Sequence, residues 1–141
     1  MAAETNRNKT IVSAFVEAIN NRDWDALDAL VAEDFVRHSA SAPPVRNRDE
    51  LKQFLHREFE TFPDAMESID DMVAENDRVA VRHRFRGTQT GQMGPWPPSS
   101  RILAADYLAI YRIANGVIAE SWAEWDNLSG LRQLGHFTST T

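Results

Sequence analysis

"RILAADYLAIYRIANGVIAESWAEW", Arg101 to Trp125, is the stretch on which the architecture turns. Its first half is a long, almost continuously apolar run carrying both tyrosines of the chain. Asn115–Gly116 then supplies a two-residue hairpin turn, since both residues tolerate the positive φ that such turns need. "VIAESWAEW" returns as the partner strand. Directly behind it, "DNLSGLRQLG" changes period and sets Leu128, Leu131 and Leu134 on a helical face.

The strand period extends upstream of this hairpin. "RVAVRHRF" alternates Val79, Val81, His83 and Phe85 against Arg78, Ala80, Arg82 and Arg84, and a turn at Asn76–Asp77 joins it to "MESIDDMVAEND". "GTQTGQMGPWPPSSR" is punctuated throughout by Gly and Pro and reads as loop, with Gly91–Trp96 as a lid hinged by glycines. Before Met66 the period is helical. Ile11, Val12, Phe15, Val16 and Ile19 share one face. Asp23 is a suitable N-cap for a second helix with the stripe Trp24, Leu27, Leu30 and Val31. A short extended piece around Phe35–Val36 and a loop held by Pro43 and Pro44 follow. Asn47 and Glu50 form a capping-box-like start for a third helix, whose stripe is Leu51, Phe54, Leu55, Phe59 and Phe62, ended by Pro63. Helices first and an antiparallel meander after predict an α+β domain, with the helices packed on one face of a curved antiparallel or mixed sheet. No repeat, linker or boundary divides the chain, so residues 1–141 read as one domain, with flexible ends at 1–7 and 136–141.

A length of 141 residues is enough for one substantial core. The formal charge of −6 disfavours a nucleic-acid partner, because phosphate binding needs clustered Lys and Arg. No apolar run approaches the roughly 18 residues that span a bilayer, so no membrane partner is expected. With no cysteine there is no disulfide frame, thiolate nucleophile or Cys-bound metal. "MAAETNRNK" lacks the apolar core of a secretory signal, and the expected compartment is the cytoplasm.

Helix–helix–short strand–helix and then a meander resembles the cone-shaped NTF2-like fold. Within that superfamily, Gly87-Thr88, Gly91, Gly94, the "NG-x-I-x-E-x-W" hairpin, Asp126 and Gln133-Leu134-Gly135 resemble the SnoaL-like polyketide (ester) cyclase family, over roughly residues 8–135. The resemblance implies a pocket between helices and sheet. It also implies that Asp126 acts as acid/base in an intramolecular aldol closure, without metal or cofactor, and that His38 in "FVRHSA" lies where the family commonly keeps a His. Two departures touch this region: Ser121 stands where the family often has a His, and Ser99-Ser100 where it has a Thr-Gly pair.

Aldol closure needs a base for a proton next to a carbonyl and an acid for the forming alkoxide. One carboxylate can do both if an apolar wall lifts its pKa. On an ideal strand Glu120, Trp122, Glu124 and Asp126 share a face, which makes Trp122 the aromatic neighbour; a bulge near the strand end exchanges it for Trp125. The competing role for Asp126 is to cap the last helix through the backbone N–H of Leu128 or Ser129. His38 is a candidate to share a proton with Asp126, since imidazole titrates near neutrality, whereas His83, between Val81 and Phe85, reads as a satisfied half-buried histidine. Trp24, Phe35, Met93, Trp96, Tyr107 and Trp122 are candidates to line a pocket for a flat, hydrophobic small molecule. Asp106 interrupts an apolar strand and either pairs with Arg82, Arg84 or Arg86 or faces the cavity. The expected function is a cofactor-independent cyclase or isomerase-type enzyme. A non-catalytic binding protein with the same pocket is the alternative, and epoxide hydrolase chemistry the third reading. The apolar outer face of Ile102–Ile113 predicts a homodimer.

Overall fold

The structure, a computed structural model, describes residues 2–137. Four helices and five strands follow in the order α1 (Ala2–Asn20), α2 (Trp24–Leu30), β1 (Val31–His38), α3 (Arg48–Thr61), β2 (Met66–Glu75), β3 (Arg78–Thr88), β4 (Ile102–Ala114), β5 (Val117–Trp125) and α4 (Asn127–Gln133). The sheet order is β1-β5-β4-β3-β2. β2 to β5 form the antiparallel meander, and β1 lies parallel to β5 at one edge. This is the α+β arrangement that the NTF2-like resemblance implies, an open mixed sheet with the helices packed against it.

The N-terminal stripe buries Val12, Phe15, Val16 and Ile19 against the sheet. Residues 2–7, expected to be loose, are the first turns of α1, and residues 138–141 of the expected flexible C-terminal end lie outside the described residues. Arg22, at φ 51°, turns the chain out of α1, and the Asp23 side chain accepts from Ala26 N–H to start α2. Val31, placed by periodicity on the α2 stripe, is instead already extended (φ −125°, ψ 135°) and opens an eight-residue β1. That strand is longer than the local pattern suggests because its stability comes from a partner at the other end of the chain. Asn47 accepts from Glu50 N–H at 2.8 Å, as a capping residue should. Asn115 (φ 54°) and Gly116 (φ 78°) both occupy the left-handed region demanded by the tight β4–β5 turn.

Alternation on β3 and β4 sorts the two faces. Val79, Val81, His83 and Phe85 are buried beneath the helices together with Leu103, Tyr107, Ala109, Tyr111 and Ile113. Ile102, Leu108 and Ile110 remain exposed on the opposite face. There Arg82 and Arg84 meet Asp70 at 3.2 and 3.1 Å, and Arg82 also meets Asp71. The basic row is therefore answered by β2.

The β3–β4 loop is docked to the end of α3. Gly91 N–H donates to Thr61 O, and the Thr61 hydroxyl donates to Gln92 O at 2.8 Å. A Cβ at Gly91 would lie 2.0 Å from the Glu60 carbonyl oxygen, so close approach rather than hinge motion requires glycine there. Gln89, fully buried, ties the loop further by donating to Gly91 O and Pro97 O.

Candidate functional site

A cavity of about 320 Å³ opens between α3 and the inner face of the sheet. Its walls are mostly apolar, with Phe35, Leu55, Phe62, Phe85 and Trp125 among them, while Arg37, Glu58, Glu67, Tyr107, Tyr111 and Ser121 bring polar groups to the lining. Each polar residue arrives by periodicity. Glu58 occupies the inward stripe of α3, three residues after Leu55 and four before Phe62. Glu67 shares the inward parity of β2 with Ile69 and pairs in register with Phe85. Its backbone is fixed by a reciprocal clamp: Asn20 Nδ2 donates to Glu67 O at 2.8 Å and Glu67 N–H donates to Asn20 Oδ1 at 2.9 Å.

Trp125, Tyr107 and His83 form a stacked aromatic shelf across β5, β4 and β3. Tyr107 lies 3.9 Å from Trp125 and 4.4 Å from His83, ring centre to ring centre, and the rings of both pairs are nearly parallel. The Tyr107 hydroxyl donates to the Glu67 carboxyl, 2.7 Å from each oxygen. His83 Nε2 is bonded to the Tyr111 hydroxyl at 2.8 Å. Its Nδ1 has no hydrogen-bond partner and lies 3.5 Å from Glu67 Oε2.

Burial dominates the electrostatics. It pushes the Glu67 carboxyl up to about 8, helped by the nearby Glu58 charge and opposed by the Tyr107 bond and Arg37. Burial also raises Glu58 to about 7, against the pull of Arg37. It lowers His83 to about 4 and keeps it neutral, and it drives both tyrosines well above their usual value. A neutral imidazole beside a protonated Glu67 is a compatible pair, because Nδ1 can then face a proton rather than a negative charge.

A second hollow, also about 320 Å³, adjoins the chamber and shares Ser41, Met93, Leu103, Trp125 and Asn127 with it. Trp96 and Asp126 stand here, so this is a vestibule between the β3–β4 loop and α4. Asp126 follows the last strand residue and caps α4, its Oδ1 accepting from Ser129 N–H at 3.0 Å.

The expected site residues divide accordingly. Phe35, Met93 and Tyr107 line the chamber, and Met93, Trp96 and Asp126 the vestibule. Trp122 does not line either hollow. Ser121, Ala123 and Trp125 point inward and Trp122 outward, where it stacks on His38 at 5.4 Å. Ideal-strand alternation would place Trp122 on the same side as Asp126, but Asp126 lies beyond the end of β5 as the cap of α4, so its position does not assign a face to the tryptophans. His38 is likewise on the outer face, bonded to Glu120 Oε2 at 2.7 Å, and is not brought to Asp126. Its neighbour Arg37 has the inward parity. Asp106 faces outward, 3.7 Å from Arg84, and Trp24 packs on His56 and Phe59 away from both hollows. The residues not foreseen are Arg37, Glu58, Glu67 and Tyr111. Glu58 and Glu67 carried a legible signal, an acid standing in phase with an apolar stripe.

The sequence profile of the SnoaL-like polyketide cyclase family matches residues 9–134. IdmH from Streptomyces antibioticus, provisionally described as a polyketide cyclase, is 31% identical, with 91% of this chain and 98% of that chain covered and a TM-score of 0.80. A provisionally assigned SnoaL-like polyketide cyclase from Jannaschia sp. CCS1 superposes with a TM-score of 0.86 at 20% identity, covering 95% of each chain. The LEH-like epoxide hydrolase of M. tuberculosis shares the fold at 19% identity and a TM-score of 0.74, with 93% of this chain and 91% of that one covered. No curated protein matches the sequence. Profile, fold and the two-part hollow beneath the helices agree: the chain belongs to the SnoaL-like polyketide cyclase family.

Proposed function

We propose that the protein is a cofactor-independent cyclase, closing a ring by an aldol-type step on a hydrophobic, carbonyl-bearing molecule held in the chamber and vestibule. The observation that carries this reading is an apolar hollow with carboxyl groups at both its floor and its mouth. A carboxylate removes a proton next to one carbonyl, the resulting carbon attacks a second carbonyl of the same molecule, and the alkoxide is protonated. Asp126 is the acid/base proposed at the mouth. Capping α4 does not disqualify it, because the cap uses only Oδ1. His38 falls outside this reading because Glu120 holds it on the other face of the sheet.

Asp126→Asn is the informative variant. Asn caps as well as Asp, so the thermal midpoint should not move, while turnover of a linear poly-β-ketone thioester should fall by roughly 10²–10⁴-fold. Unchanged turnover removes Asp126 from the mechanism. A non-catalytic carrier instead predicts a ligand that mass spectrometry recovers chemically unchanged from the wild-type protein.

The exposed Ile102, Leu108 and Ile110, joined by Val73, support association of two copies through the outer sheet face. Light scattering at micromolar concentration should give the mass of a dimer, and a monomer there would exclude it. No helix among the described residues is long and apolar enough to cross a membrane.

A further inference from the structure

We propose that Glu67 is a second catalytic base, seated at the floor of the chamber and tuned by Glu58 and Tyr107, and that Arg37 holds the oxygen of the enolate it creates. The proposal rests on the cyclase reading for its place in a reaction, but its chemistry is independent of Asp126. It also narrows the ligand class: a hydrophobic molecule whose inner end carries an enolisable ketone.

The geometry supports this in three ways. First, Glu67 is aimed. The Asn20 clamp fixes its backbone and the Tyr107 hydroxyl holds its carboxyl at the cavity wall, so its position does not depend on a ligand. Second, its surroundings supply what a base in an apolar site needs. Facing it are Arg37 from β1, Glu58 from α3, His83 from β3, and Tyr107 and Tyr111 from β4. The Glu58 charge disfavours ionisation of Glu67, and Arg37 favours the ionised form of both. Third, the buried Nδ1 of His83 has no hydrogen-bond partner and lies beside Glu67 Oε2. With the imidazole proton on Nε2 toward Tyr111, that nitrogen is an acceptor ready for the proton Glu67 gains. A polar atom left unpaired in a core needs a reason, and a carboxyl that alternates between two protonation states provides one.

The step balances without any further reagent. The C–H bond next to the substrate ketone breaks, its proton passes to a Glu67 oxygen, and its electron pair becomes the enolate π bond. The negative charge moves to the ketone oxygen, where Arg37 meets it. Reprotonation at carbon, or attack on a second carbonyl, returns the site to its starting charge.

2-Tetralone, a bicyclic ketone with acidic protons beside its carbonyl, is the probe. Its hydrogen–deuterium exchange in D₂O is followed by proton NMR across pH 5 to 10. The wild-type protein should accelerate exchange over buffer, with a rising limb as the Glu67 carboxyl ionises. Glu67→Gln, which keeps an acceptor for Tyr107, should lose the acceleration by roughly 100-fold or more, while His38→Gln on the outer face should keep it. Two tuning variants guard against a merely structural effect. Glu58→Gln removes a charge that opposes ionisation of Glu67, so the limb moves to lower pH. Tyr107→Phe removes a bond that favours the carboxylate, so the limb moves to higher pH. Opposite displacements support a base at Glu67. No acceleration by the wild type, equal rates in Glu67→Gln, or limbs that do not separate would overturn the proposal. A Glu67-dependent exchange with no cyclised product from the poly-β-ketone thioester would leave this inference standing and remove the cyclase reading instead.

Discussion

Glu67→Gln should make the protein more stable at pH 9 and leave it almost unchanged at pH 4. The carboxyl of Glu67 is raised in the folded chain, to about 8, by burial and by Glu58. In the unfolded chain it ionises near the usual value of about 4.3. Between those two values the folded state retains a proton that the unfolded state has released, so stability falls as pH rises. The buried acid thus contributes fully below pH 4 and its contribution is lost as pH passes about 8. Gln has no proton to lose, and at pH 9 the variant should gain on the order of 2–4 kcal/mol, read as a Tm increase of roughly 10 °C. His83 works in the opposite sense. Its folded pKa is lowered to about 4 from 6.5, so the stability it permits is present above pH 6.5 and lost as pH falls toward 4. A Tm difference between Glu67→Gln and wild type that does not grow with pH would mean that Glu67 is not held as a neutral acid. An active carboxyl kept at the expense of alkaline stability is a familiar form of functional strain.

Phe85→Ala should destabilise the protein by about 3–5 kcal/mol, the range for deleting a buried phenyl ring. Phe85 is 1% exposed and meets Phe62 and Trp125 edge-on, at 5.3 and 5.6 Å between ring centres. It is also the register partner of Glu67. Neighbours cannot collapse into the gap easily, because one side of the ring already borders the hollow. Urea unfolding measures the effect. A loss below about 1 kcal/mol would show that the cavity wall repacks, and the upper part of the range applies if it stays open.

The fold was legible where the pattern was local. The β4–β5 hairpin follows from Asn115–Gly116 and the apolar runs beside it, and the start of α3 follows from Asn47 and Glu50. β1 was readable only as a fragment around Phe35–Val36, since its partner strand lies some eighty positions later and its one nearby pairing is the single bridge between Arg37 and Val45. The site was half legible. Phe35, Met93, Tyr107, Trp96 and Asp126 could be nominated from residue type and neighbourhood. His38 could not be separated from Arg37 without knowing where β1 begins, because one residue of phase exchanges the two faces. Glu58 and Glu67 were missed for a related reason. Charged residues in amphipathic elements are ordinarily assigned to solvent, and only the burial of both stripes against the same hollow makes them partners.

The parallel pairing of β1 with β5 has a consequence for the order in which the molecule is made. Residues 31–38 emerge from the ribosome more than eighty positions ahead of their strand partner, residues 117–125. Until then the side of β1 that faces β5 is unpaired, whereas β2, β3 and β4 can pair with one another as they appear. Arg37 and Trp125 sit on those two strands and face the same hollow. A nascent chain stopped short of β5 therefore lacks one wall of the chamber, and the capacity to hold a ligand waits on the docking of that strand.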